Sequence, residues 1–132
     1  MYIKKIAFAV IFLSAAAFSL AQTKTTVKSP NKNIELNFWL NDKGAPMYSV
    51  SFKSREVLLP SAMGFELKQT MSNEALPALK DNLVVTSSTQ TSSNTKWKPV
   101  WGDVKEISDN YSQLKVSLSQ KGDKAISFNI IF

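Results

Sequence analysis

A chain of 132 residues has room for one domain and one hydrophobic core. It contains no cysteine and no histidine, which excludes disulfides, thiol nucleophiles, Ser-His-Asp relays and zinc sites built on His or Cys. The net charge of +6 comes from lysines scattered singly along the chain, the pattern of a solvated surface, so no nucleic-acid partner is expected.

Met1 to Lys5 form a basic start, Ile6 to Phe18 an apolar run too short to span a bilayer comfortably, and small residues stand three and one before Gln22. This is the layout of a signal peptide over residues 1–21, cleaved after Ala21. The protein is therefore expected to be exported, periplasmic or secreted, without stable insertion in a membrane. No cysteine follows the apolar run, which rules out a lipid anchor there.

The mature part, residues 22–132, reads as strands. Ile34, Leu36, Phe38 and Leu40 alternate with Glu35, Asn37 and Trp39, and Asn41 to Gly44 supply turn chemistry before a second strand from Met47 to Phe52. Lys53 to Arg55 form a polar turn into Val57, Leu58 and Leu59, where Pro60 is expected to stop the strand for want of a ladder donor. Met63, Phe65 and Leu67 resume the alternation.

From Gln69 to Asn82 the pattern is broken and a surface loop, with room for a helical turn, is expected. Leu83 to Thr86 reads as a strand, and Ser87 to Thr95 as either an edge strand or a flexible connection. Val104 to Ile107 reads as a short strand, Asp109 and Asn110 as a turn, and Leu114 to Leu118 and Ile126 to Phe132 as two strands joined through "SQKGDK". No long segment has helical period, so the expected class is all-β, an antiparallel β-sandwich. The last strand runs into Phe132 without a turn or polar tail, as if the domain were incomplete at its C-terminal end.

The stretch "TKWKPVWGD" holds two of the three tryptophans, Trp97 and Trp101. Two readings stand side by side: rings packed at a sheet corner with Pro99 fixing the approach, or exposed rings offering a platform to the C–H face of a sugar. Asp103, Glu106 and Asp109 are the nearby carboxylates. Their spacing of three along a strand and turn does not bring them together, so neither a catalytic pair nor any metal site is expected here, and the calcium-loop pattern is absent.

"VKSPNKNIELNFWLNDKGAPMYSVSFKSREVLLPSAMGFELK" followed by "TKWKPVWGDVKEISDNYSQLKVSL" resembles the amino-terminal domain of glycoside hydrolase family 97, exported α-glucosidases and α-galactosidases. The resemblance runs from Val27 to about Phe132. It rests on the order and spacing of Ser29-Pro30, Val57 to Pro60, Gly64 with Glu66-Leu67, Trp97 to Gly102, and Asn110-Tyr111 with Leu114. It implies an enzyme of three parts, with an N-terminal β-sandwich, a barrel carrying the catalytic carboxylates and a small C-terminal β domain. It also implies calcium in the full-length enzyme and an α-linked oligosaccharide as its ligand.

On this reading the chain holds no cofactor and no catalytic residue, and it is inactive without the missing catalytic barrel. Trp97 and Trp101 are its candidate contacts, to carbohydrate or to the barrel. The alternative expectation is a free-standing carbohydrate-binding β-sandwich module; a third is an adhesive domain pairing through the edge at Ile126 to Phe132.

Overall fold

The computed structural model describes residues 23–68, 78–122 and 125–132; the expected signal peptide, the loop residues 69–77 and part of the "SQKGDK" turn lie outside the described residues. All regular structure among the described residues is strand: β1 (Thr25–Lys28), β2 (Ile34–Leu40), β3 (Pro46–Phe52), β4 (Arg55–Ala62), β5 (Leu83–Trp97), β6 (Ile107–Gln120) and β7 (Ser127–Ile131). Two antiparallel sheets form, ordered β1-β2-β3-β4 and β5-β6-β7. The expected all-β sandwich is the observed fold.

The alternation of β2 becomes a division of faces. Phe38 is sealed inside while Leu36 and Leu40 pack beside it, and Glu35, Asn37 and Trp39 turn outward. From the second sheet Leu83, Leu114, Val116 and Leu118 close over Phe38 and Val27. Aromatic rings bind the layers further: Phe132 lies 5.6 Å from Phe38 and 6.5 Å from Tyr48, and Phe65 meets Phe128 edge-on at 5.8 Å.

The loop between β2 and β3 fixes how the sheets meet. The Asn41 side-chain oxygen accepts from the backbone N–H of Lys43 and Ala45, at 3.0 and 2.9 Å, and the Gly44 N–H donates to the Asn41 carbonyl. The chain then turns through Gly44 at φ 71°. Backbone N–H groups of Asn82 and Leu83 donate to the carbonyls of Lys43 and Gly44, stitching the entry of β5 to this loop. At the other end of the sheet, Lys53 and Ser54 both take positive φ, the geometry of a tight hairpin turn between β3 and β4.

Four expectations need correction. Pro60 does not stop β4, which continues to Ala62: β4 is an edge strand, so the donor that proline lacks has no neighbour to serve. Asp109 and Asn110 do not turn; they sit within β6 opposite Thr95 and Asn94. No separate strand spans Val104 to Ile107, because β6 begins at Ile107 and runs unbroken to Gln120. A ladder fourteen residues long overrides the local turn preference of Asp-Asn. Residues 78–82, placed in the expected loop, include Leu79, which is buried and bridged to Phe65.

Ser87 to Thr95, left open between strand and connection, is edge strand throughout. The four-residue β1 was not anticipated, being too short to show a period.

Candidate functional site

β5 and β6 outrun the sandwich. β7 pairs with β6 only from Lys115 to Ser119, and the last link to the first sheet on this side is the Gln90 side-chain N–H donating to the Thr26 carbonyl at 2.7 Å. Past Ser92 opposite Ser112, five more residue pairs continue as a two-stranded arm, ending with Trp97 opposite Ile107. At about 3.4 Å per residue the paired arm reaches roughly 17 Å beyond that point.

Alternation puts Trp97, Thr95 and Ser93 on one face with Ile107, Asp109 and Tyr111, the face turned away from the core residue Leu114. Residues 98–106 form the tip. Trp97 is 53% exposed, Trp101 87%, and Val100 fully, with Val104 and Tyr111 also open to solvent. The corner-packing reading of the two tryptophans is thereby corrected: neither ring belongs to the core of the described residues. The physical reason is placement, since the tip is carried past the end of the opposing sheet and nothing among the described residues covers the rings.

An ion pair braces the arm, Lys96 Nζ to Glu106 Oε1 at 2.7 Å, with both groups largely solvent-exposed. That bond engages Glu106, and Asp109 faces Thr95 along the ladder while Asp103 stands in the exposed tip. The three carboxylates do not converge. Among the described residues no group of three or more acidic side chains gathers where a metal ion could be held. No helix among them is long and apolar enough to cross a membrane.

What the arm presents is apolar surface: Trp97 and Tyr111 on the paired ribbon, and Val100, Trp101 and Val104 at its tip. The sequence did not mark Val100, Val104 or Tyr111 as contact residues: Tyr111 entered only through the family resemblance and Val104 only as the start of a strand. The signal for the valines was the alternation of apolar residues with turn formers in "KPVWGDV".

Comparison with known proteins bears on what such an arm would meet. The glycosyl-hydrolase 97 N-terminal family matches residues 27–132. Among solved structures, a glycoside hydrolase family 97 enzyme from Pseudoalteromonas sp. strain K8, seen in complex with panose and with acarbose, is similar at 29% identity with a TM-score of 0.68, over 82% of this chain and 15% of that one. A beta-arabinopyranosidase shares the fold at 20% identity, with a TM-score of 0.64 over 82% of this chain and 16% of its own. The chain thus spans less than a fifth of the length of the enzymes it resembles. With the family match covering all seven strands but the first two residues of β1, and a relative sharing the same sandwich, the chain belongs to the glycosyl-hydrolase 97 N-terminal family.

Proposed function

We propose that this sandwich is the non-catalytic N-terminal domain of a family 97 α-glycosidase of α-glucosidase type, and that it supports the catalytic barrel and its sugar pocket. The observation that carries the reading is the exposed arm. A two-stranded ribbon tipped with Trp97, Val100 and Trp101 is apolar surface that calls for a partner, and the matching relatives are enzymes more than six times as long as the matched stretch. Glycoside hydrolysis needs two carboxyl groups facing each other across one sugar, about 5–5.5 Å or 6.5–9.5 Å apart. The carboxylates near the arm diverge instead, so the reacting pair belongs to the barrel, as does the calcium that the family implies. Residues 1–21 would export the enzyme to the periplasm or beyond.

The test is the full-length enzyme carrying Trp97→Ala and Trp101→Ala together. Its turnover of an α-glucoside and its melting temperature are both expected to fall, since buried interface tryptophans commonly contribute about 2 kcal/mol or more. The 132-residue chain with the same substitutions should melt where its parent does. Unchanged full-length enzyme would overturn the docking role.

The exposure of both rings also favours a second reading, a free-standing carbohydrate-binding module. Under it, tryptophan emission of the chain should change saturably with panose, and each Trp→Ala substitution should abolish the change.

A further inference from the structure

We propose that the outer face of the first sheet holds one sugar residue, bound through its hydroxyls in a cleft floored by Ser49. This face lies on the sheet opposite the tryptophan arm. The strand register lays out its side chains in rows: Lys28, Glu35 and Ser51 with Glu56, then Thr26, Asn37 and Ser49, then Trp39 with Met47. Of these, Glu35, Asn37, Ser49, Ser51 and Glu56, together with Lys24, line an open cleft of about 290 Å³, a size suited to one small polar molecule.

Ser49 is the informative residue. On the central strand β3, Ser49 is only 6% exposed as a residue, and its hydroxyl makes no hydrogen bond within the described residues. The hydroxyl is not sealed from solvent, so it opens to the cleft and is free to exchange water for a ligand hydroxyl. The bonding around it is also incomplete. Asn37 accepts from the Thr26 hydroxyl at 2.6 Å and reaches Glu35 at 3.5 Å, leaving an amide hydrogen to donate into the cleft. Glu35 is held by Lys28 at 3.0 Å, while Glu56 has no ion-pair partner among the described residues.

The charge pattern selects the ligand class. Lys24 and Lys28 offset Glu35 and Glu56, so neither an anion nor a cation is favoured, whereas a neutral polyol is. A carboxylate can accept from both hydroxyls of a vicinal diol, and amide and serine groups supply the matching donors and acceptors. Trp39 is not a stacking platform here, because Lys24 Nζ already lies over its ring, 5.0 Å from the centroid; the ring holds that ammonium at the rim of the cleft. The choice of a sugar over another polyol rests on the proposed carbohydrate-active parent; the cleft does not.

The experiment is a titration of the ¹⁵N-labelled chain with methyl α-glucoside, followed by amide and indole resonances. Saturable shifts centred on Asn37, Ser49, Ser51 and Glu56 are expected. Ser49→Ala should weaken the affinity roughly fivefold, one hydrogen bond's worth, without lowering the melting temperature, and Glu56→Gln should weaken it on an intact fold. Shifts confined to the Trp97 and Trp101 indoles would overturn the cleft while sparing the carbohydrate reading. No shift at saturating sugar would overturn the cleft and leave the docking role to the full-length test. A Ser49→Ala chain that melts several degrees lower with unchanged affinity would also overturn it, by making the hydroxyl structural.

Discussion

Replacing Gly44 by alanine tests how the two sheets are joined. At φ 71° an L side chain is strained, at a cost of about 1–2 kcal/mol. The added Cβ would also stand 2.7 Å from the Leu83 carbonyl oxygen, 2.8 Å from the Leu83 nitrogen and 3.3 Å from the Asn82 carbonyl carbon. These are backbone atoms, so no rotamer change relieves the overlap; the loop must back away from β5. That movement weakens the 3.1 Å bond from the Leu83 N–H to the Gly44 carbonyl, about 1 kcal/mol more. The total, about 2–3 kcal/mol, is a large share of a domain's stability, on the order of 5–15 kcal/mol. Urea unfolding followed by circular dichroism should show the midpoint fall without a change in slope. Gly102→Ala is the control: its φ is 120° but nothing lies within 4 Å of the new Cβ, and the tip can relax, so its loss should stay near or below about 1 kcal/mol. Equal losses for the two variants would refute the idea that the Gly44 to Leu83 contact holds the sheets together.

Phe38→Ala, which empties the most enclosed aromatic position and removes the partner of Phe132, should cost about 3–5 kcal/mol in the same unfolding assay; a loss under about 1 kcal/mol would show that the core is held elsewhere. The hydrogen bond and charge of Lys28 hold the Glu35 carboxyl below the usual carboxylate range. A depressed folded value means that this pair's contribution is complete above the unfolded carboxylate range and fades as pH falls through the folded one, so the effect lies wholly on the acid side. Because both groups are exposed the contribution is small, and the check is site-specific: Lys28→Ala should move the Glu35 carboxyl titration seen by NMR upward, and an unmoved midpoint would contradict the pairing.

The strands that alternate most cleanly were legible because their apolar side chains face a core: Leu36 and Phe38 in β2, Leu114 to Leu118 in β6, Phe128 and Ile130 in β7. The arm was not, because past Ser92 and Ser112 no core imposes a period, and Asn110 or Asp109 in isolation favours a turn. Only the opposing strand decides, and pairing between distant segments leaves no local mark. Pro60 misled for a related reason, since whether a missing donor matters depends on which strands are edges. The tryptophans stood out as unusual, but whether they face inward or outward depends on where the other sheet ends. Ser49 carried no signal, its neighbours on the cleft being gathered from β2, β4 and the residue before β1.

The contact of Phe132 with Phe38 also has a kinetic meaning. The ring that completes the enclosure of the first hairpin arrives from the far end of the sequence, and Leu114 exchanges backbone bonds with the same residue. Hairpins such as β2–β3 can zip locally within microseconds, but the layer between the sheets forms only after a loop of most of the chain has closed. Proteins with that distribution of contacts fold in milliseconds to seconds. During synthesis Phe38 must therefore wait, unburied, until Phe132 has emerged, and for that interval this fold depends on its surroundings to keep early strands from finding other partners.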